Sequence, residues 1–136
     1  MSVSVSIIVP CYNVAAYLDQ CMESLTGQSM KDIEIICVND GSSDCTAEIL
    51  REWRNRDRRV RIIDQKNSGV SAARNSGMAA AAGTYIGFVD PDDMVERNMF
   101  QRLVTAAAEK EADVAVCGYH EFCDCGDMDM PERGWA

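Results

Sequence analysis

Short apolar runs alternate along the chain with longer stretches in which apolar residues recur every three or four positions. The short runs, rich in Val and Ile, predict strands that are buried on both faces, and the longer stretches predict amphipathic helices. Gly, Pro, Asn and Asp separate the segments, as is typical of turns and helix ends. The predicted order is strand 3–10, helix 15–26, strand 33–38, helix 45–56, strand 60–63, helix 71–82, strand 85–89, helix 97–111 and strand 114–117.

This alternation predicts an α/β fold with an open, mostly parallel sheet that is flanked by helices in a three-layer α/β/α arrangement. In such sheets, ligands bind beyond the carboxyl ends of the strands, where the connecting loops converge. The candidate chemistry is therefore expected in the four loops 10–13, 39–44, 64–69 and 90–93.

Composition narrows the class of protein. The 136 residues, of which 47% are hydrophobic, suffice for one compact domain. A net charge of -9, from 22 acidic and 13 basic residues, argues against a nucleic-acid partner, because phosphate backbones are bound by clustered Lys and Arg. The sequence has no recognisable export signal or membrane span. Cys11, Cys21 and Cys37 lie in apolar runs, which favours reduced thiols and a cytoplasmic location, with the inner face of the membrane as a further option.

Three carboxylates follow the fourth predicted strand. Asp90, Asp92 and Asp93 lie within four positions around a proline, so their negative charges are crowded at the end of a strand. Oxygen ligands of this kind suit Mn²⁺ or Mg²⁺, with phosphate groups of a substrate completing the coordination. The alternative is a turn that caps the following helix.

The other strand ends offer groups that could contact a nucleotide. Asp40 could accept hydrogen bonds from a base or ribose, and the alternative is an Asx turn that leads into the next helix. Tyr12 and Asn13 offer an aromatic face and an amide, although both are also ordinary loop residues. Arg74, one turn into a predicted helix, suits a diphosphate or a pairing with a strand-end acid, and the two readings are compatible.

Two further patterns are better explained as surface features. His120, Cys123 and Cys125 could bind zinc, but they lack the second ligand pair of a usual zinc site, so a surface turn is favoured. The basic residues between Arg51 and Arg61 are typical of a solvated helix face, with a peripheral contact to anionic lipid headgroups as the alternative.

Taken together, the strand ends resemble a known pattern. The four motifs are VSIIVPCYN (5–13), VNDGSSD (38–44), SGVSAARNSG (68–77) and FVDPDD (88–93). In this order they resemble a family 2 glycosyltransferase with the GT-A fold, which is Rossmann-like, and the resemblance covers residues 3 to about 117.

The resemblance implies a role for each matched residue. The family often has Asp where this chain has Asn39, and because Asp40 follows, the departure changes little. The implied nucleotide-sugar site comprises Pro10, Tyr12 and Asn13 along the nucleotide pocket, Asp40 on the base, Arg74 near the diphosphate, Asp90 toward the ribose or sugar, and Asp92 on the metal.

The resemblance also implies a reaction. A sugar is transferred from a nucleotide-diphosphate sugar, most commonly a UDP-sugar, to a hydroxyl of a glycan or lipid-linked acceptor, with inversion, in surface polysaccharide or glycolipid synthesis. Residues 1–118 would form the donor-binding domain, and 119–136 an acidic tail that begins an acceptor-binding part. The chain is therefore expected to be truncated and to lack the catalytic base. Met128, Met130 and Trp135 could cover its exposed apolar surface or pair two copies as a homodimer.

The alternative to an enzyme is a non-catalytic nucleotide-binding or structural α/β domain. A response-regulator receiver would need an acid pair after the first strand, where this chain has residues 10–13 without any acid. A nucleotidyltransferase or a dehydrogenase would need a glycine-rich phosphate loop there, and that loop is also missing.

Overall fold

The computed structural model describes residues 2–121. Eight of the nine predicted elements are confirmed, with ends that differ by at most two residues. They are β1 (Val5–Cys11), α1 (Ala15–Thr26), β2 (Ile33–Asn39), α2 (Thr46–Arg56), β3 (Val60–Asp64), α3 (Val70–Ala80), β4 (Tyr85–Phe88) and α4 (Met99–Glu109). The strands and α1 to α3 belong to a compact unit that ends at Phe100, and a second unit begins at Gln101. The division proposed at residue 118 stays a prediction.

The four strands form one parallel sheet in the order β3-β2-β1-β4. Every residue of β1 and β2 is buried, as expected for the central strands of a sheet that is covered on both faces. On one face Ile8 lies against Gly77 of α3, and on the other the Cys37 sulfur lies 3.7 Å from that of Met22 in α1. The predicted α/β fold, with its parallel sheet between helices, is confirmed.

A buried carboxylate holds the C-terminal end of α3 at the end of the sheet where the strands begin. Glu34 in β2 accepts hydrogen bonds from the Ser6 hydroxyl (2.6 Å), the Ala82 backbone N–H (2.7 Å) and the Arg61 guanidinium (2.8 Å). Burial raises the pKa of Glu34, but these hydrogen bonds and the Arg61 charge outweigh it and hold the pKa below its usual value. The segment after α3 is thereby fastened to the sheet.

The prediction of a strand at 114–117 is wrong. These residues have no strand structure, and Val114 and Val116 are 77% and 75% exposed. A strand requires a hydrogen-bonding neighbour, and no residue within 2–121 pairs with this segment. The short apolar run alone could not reveal that a pairing neighbour is absent among the described residues.

Some predictions cannot be compared with the structure. The two cysteines of the zinc pattern, the acidic tail beyond residue 121, and Met128, Met130 and Trp135 lie outside the described residues. Within the described residues, no helix has both the length and the apolar character that a membrane crossing requires.

Gly77 is expected to be required for the packing of α3 on the sheet. A Cβ at this position would lie 2.5 Å from Cγ2 of Ile8, which is fully buried. Overpacking of this kind costs about 1–3 kcal/mol and exceeds the gain of about 1 kcal/mol in helix propensity. Since the 2.5 Å approach to a branched, buried side chain favours the upper part of that cost, Gly77→Ala should lower the free energy of unfolding by about 1–2 kcal/mol, measured by urea denaturation. Met78→Ala, at an exposed position of the same helix, should change it by less than about 0.5 kcal/mol. Equal stability of Gly77→Ala and the wild type would contradict this packing.

Candidate functional site

The loops after the four strands start from one edge of the sheet, as the sequence predicted. Backbone hydrogen bonds continue the strand pairing into these loops, from Asp40 N–H to the Cys11 carbonyl (2.8 Å) and from Gln65 N–H to the Asn39 carbonyl (3.0 Å). Val89 N–H likewise bonds to the Ile8 carbonyl at 3.1 Å. Because rigid parallel strands present the loops together, their polar residues can act on one ligand.

Asp40 is the central carboxylate of this edge and is only 3% exposed. Its Oδ1 accepts hydrogen bonds from the Gln65 amide (2.9 Å) and the Ser68 backbone N–H (2.8 Å), and its Oδ2 accepts one from Gly69 N–H (2.9 Å). The Gln65 hydrogen bond first, and then the two backbone N–H groups, lower the pKa of Asp40 despite its burial. Asp40 is therefore ionised at neutral pH, and it lies at the N-terminus of α3, where a negative charge is favourable.

The loop that joins β3 to α3 folds tightly around Asp40. The Asn67 amide donates a hydrogen bond to the Asp40 carbonyl at 3.1 Å. Gly41 has a φ of 75°, and a Cβ there would come within 2.7 Å of the Asn67 backbone nitrogen. Gly69 has a φ of 95° directly before α3. Two glycines of the sequence motifs are thus explained by the path of this loop.

Asn13 joins the loop after β1 to the loop after β2. It adopts a φ of 50°, and its amide oxygen accepts hydrogen bonds from the backbone N–H groups of Ser43 (2.8 Å) and Asp44 (3.3 Å). Next to it, Tyr12 is 52% exposed and Pro10 is buried at the end of β1. The structure therefore gives Asn13 a positioning role, and it leaves the Tyr12 ring accessible to a ligand.

Asn39 stands where the family resemblance implies an acid, and the structure shows what its amide does there. Its amide nitrogen donates a hydrogen bond to Asp64 (2.9 Å), and its amide oxygen accepts one from the Ser42 backbone N–H (3.2 Å). An aspartate at 39 would bring two carboxylates together, whereas the amide satisfies both neighbours. Asp64 lies in the predicted loop 64–69, but no motif indicates its contact with Asn39, which lies 25 positions earlier.

Asp90, Asp92 and Asp93 form an exposed acidic cluster after β4. One carboxylate oxygen from each lies within 4.8 Å of the other two. A hydrogen bond of 3.0 Å from Asp93 N–H to the Asp90 carbonyl closes the turn. Burial first, and then the charges of Asp92 and Asp90, raise the pKa of Asp93. A divalent cation would relieve this repulsion, and three carboxylates fit the oxygen coordination of Mg²⁺ or Mn²⁺.

A buried thiol lies beneath the acidic cluster. The Cys21 sulfur is 3.7 Å from the Asp90 carbonyl oxygen. Burial, with contributions from Cys11 and the aspartates, raises the pKa of Cys21 to about 12. The thiol is therefore uncharged at neutral pH and serves as packing. All the cysteines within residues 2–121 are free thiols, in agreement with the expectation of reduced cysteines.

Arg74 reaches the acidic cluster from α3. Its guanidinium lies 3.2 Å from Asp90, in an ion pair whose side chains are 39% and 53% exposed. An ion pair this accessible contributes little to stability, so Arg74 can exchange Asp90 for another anion at low cost. Because α3 also begins at Asp40, this one helix connects the buried carboxylate to the acidic cluster.

Several residues of the basic run 51–61, which lies in and after α2, make contacts within the chain. Arg59 pairs with Asp57 at 2.7 Å, and Arg61 pairs with Glu34 at 2.8 Å. The Arg56 guanidinium lies 5.1 Å from the centre of the Trp53 ring. These contacts favour the structural explanation of the run, and contact with lipid headgroups stays a prediction.

Comparisons with known proteins agree with the arrangement of these motifs. The family model described as "Glycosyl transferase family 2" matches residues 6–134. The uncharacterised glycosyltransferase EpsJ of Bacillus subtilis is 51% identical over 117 residues, which are 86% of this chain and 34% of EpsJ. The chondroitin synthase of Pasteurella multocida is 40% identical over 92 residues, which are 68% of this chain and 10% of that protein. The chain thus spans about a third of the length of EpsJ and less of the synthase.

The fold also matches solved structures. The S. aureus protein TarS, in a crystal structure with UDP-GlcNAc, superposes with a TM-score of 0.75 at 28% sequence identity. The match covers 79% of this chain and 32% of that TarS chain. The superposition of this chain on TarS confirms the predicted GT-A architecture.

Asp40 is expected to stabilise the fold only when it is ionised. In Asp40→Asn an amide NH₂ group takes the place of one carboxylate oxygen, and it cannot accept a hydrogen bond from the loop. This loss should lower the free energy of unfolding by about 1–3 kcal/mol at neutral pH. Because the folded-state pKa lies below the ordinary value of about 3.8, the stabilisation is complete above that value and is lost as pH falls through the folded-state pKa.

The measurement is urea denaturation of both proteins between neutral pH and about pH 2. The difference in stability between them should shrink as the pH falls, and Asp113→Asn, at an exposed position, should match the wild type throughout. A difference that is independent of pH would show that the charge of Asp40 is not what holds the loop.

Proposed function

This chain belongs to glycosyl transferase family 2, and from that premise we propose that it binds a nucleotide-sugar donor for transfer of the sugar to an acceptor hydroxyl. One observation carries the proposal: α3 begins at the buried carboxylate of Asp40, and its Arg74 reaches the acidic cluster one turn later. This arrangement offers a nucleoside diphosphate an acceptor for its base and a cation for its phosphates.

We propose that Asp40 recognises the base and that the donor is a UDP-sugar. Asp40 Oδ2 accepts one hydrogen bond within the protein, so it retains capacity to accept a second from a ligand. A carboxylate accepts and never donates, which suits the imide N–H of uracil and opposes the ring nitrogen lone pair of cytosine. The exposed ring of Tyr12 offers a stacking surface for the same base. The relative TarS was crystallised with UDP-GlcNAc, which supports this choice.

The acidic cluster and Arg74 are proposed to receive the diphosphate. Asp92, with Asp90 beside it, would hold Mn²⁺ or Mg²⁺ through carboxylate oxygens. A bound ion would stabilise the negative charge that develops on the diphosphate leaving group. Arg74 would exchange its exposed contact with Asp90 for a phosphate oxygen, which keeps a positive charge at the same point.

In the longer relatives, we propose that the acceptor is bound by residues outside the segment that this chain matches. An inverting transfer needs a base that takes the proton of the acceptor hydroxyl, and no carboxylate of the described residues is singled out for that role. This chain spans about a third of EpsJ, so the longer relatives have room for such a base and for an acceptor site. The similarity to a chondroitin synthase supports a glycan acceptor and a role in polysaccharide synthesis. We propose glycolipid synthesis as the alternative role, and a location on the cytoplasmic side of the membrane.

Metal-dependent donor binding tests the role of the acidic cluster. Titration with UDP in a calorimeter should show binding that strengthens at least about tenfold when Mn²⁺ is added, because a bound ion would offset the negative charges of the carboxylates and the phosphates. Asp92→Ala should lose this dependence, and the exposed control Asp113→Ala should retain it. Wild-type binding that is equal with and without Mn²⁺ or Mg²⁺ would rule out the metal site.

The proposed base recognition predicts a preference among nucleotides. UDP should bind about tenfold more tightly than CDP, because CDP leaves the buried acceptor of Asp40 without its donor. Competition titrations of the wild type with UDP, CDP and GDP in Mn²⁺ measure the ratio. Equal affinities for UDP and CDP would contradict base recognition by Asp40.

A further inference from the structure

Gln65 links Asp40 to α3. It lies in the loop 64–69 that the sequence indicated, but no motif singled it out. It follows β3 directly, and its backbone N–H is held by the Asn39 carbonyl at 3.0 Å. Its side-chain amide nitrogen donates to Asp40 Oδ1 at 2.9 Å, and its amide oxygen accepts from the Ser76 hydroxyl at 2.6 Å. Side chains that directly follow β2 and β3 thus form a continuous chain of hydrogen bonds with one side chain of α3.

This chain of hydrogen bonds fixes the direction of the Gln65 amide. An ionised carboxylate can only accept, so the amide nitrogen has to face Asp40 and the amide oxygen has to face Ser76. The opposite orientation would place an amide oxygen against the negative charge of Asp40. Ser76 completes the arrangement, because its hydroxyl satisfies the oxygen that Asp40 cannot.

The same contacts fix the two oxygens of Asp40 in unequal roles. Oδ1 accepts from both Gln65 and the Ser68 backbone, whereas Oδ2 accepts only from the Gly69 backbone. Since Asp40 is 3% exposed, bulk water cannot readily replace a donor that is lost. Without Gln65 the carboxylate could rotate. The oxygen that is free to accept a further hydrogen bond would then no longer be held in one position.

We propose that Gln65, oriented by Ser76, is a positioning residue that holds the Asp40 carboxylate so that Oδ2 receives the N–H of the nucleotide base. The inference rests on the proposed function, because it assumes that Asp40 recognises a base. Gln65 acts through Asp40 and does not touch the nucleotide. Its hydrogen bond is also the largest influence that lowers the pKa of Asp40, which agrees with close coupling of the two side chains.

The test uses the whole chain, Mn²⁺, and UDP and CDP as probes. Gln65→Ala should weaken UDP binding about tenfold and reduce the preference for UDP over CDP by a similar factor. Ser76→Ala should cause a smaller loss of about two- to fivefold, and Ser76→Thr, which keeps the hydroxyl, should restore wild-type values. Gln20→Ala, at an exposed position in α1, is the matched control and should leave both quantities unchanged.

A spectroscopic readout accompanies the titrations. The pKa of Asp40, followed by NMR of its carboxyl carbon in the free protein, should be higher in Gln65→Ala than in the wild type. Circular dichroism identifies any variant that fails to fold. If Gln65→Ala is such a variant, Ser76→Ala still tests the proposal, since it removes only one hydroxyl.

The outcomes separate this inference from the proposed function. The positioning role is overturned if the wild type prefers UDP and the folded variants Gln65→Ala and Ser76→Ala keep the same affinity and the same preference. That result leaves the proposed function intact. A wild-type chain that binds neither nucleotide overturns both. Loss of preference in the two variants, with rescue by Ser76→Thr, supports the inference.

Discussion

The carboxylate of Asp40 is the interaction on which the functional edge depends. It is buried at the end of β2, and it accepts two backbone N–H groups from the loop that precedes α3. A buried charge of this kind is tolerable only with several well-placed donors, so the loop and the charge require each other. Removal of either would leave the other without partners, which explains why glycines, an asparagine and a glutamine surround this one side chain.

The two ends of α3 are held in the same manner by one strand. Asp40 holds the segment before the helix, and Glu34 holds the segment after it through Ala82. Between them, Ile36 and Val38 of β2 pack against Ala73 of α3. The position of α3 is thereby set by polar contacts at both ends and apolar contacts in the middle. A helix held this firmly keeps Arg74 at a constant place relative to Asp40.

The sequence predicts the fold well where the signal is local and poorly where it depends on a distant partner. Apolar runs and helical spacing correctly indicate eight elements, because burial imposes those periods directly. Residues 114–117 show the limit, since they form a continuous apolar run that is typical of a strand, but no described neighbour pairs with them. The strand ends identified Asp40 and the acidic cluster because turn chemistry marks them. Gln65 and Asp64 lie in the predicted loop 64–69, but the sequence does not indicate their contacts, because the partners lie 25 positions earlier in the chain.

The spacing between Glu34 in β2 and Asp40 directly after β2 has a consequence for how this sequence can change. Glu34 and Asp40 are six positions apart, and an even separation puts both on the face of the sheet that carries α3. Insertion or deletion of a single residue between them would turn one carboxylate to the opposite face, among the side chains of α1 and α2. Two-residue changes would preserve the face but alter the length that matches α3. Evolutionary change in this segment is therefore confined to substitution, because the distance between Glu34 and Asp40 has to match the length of α3.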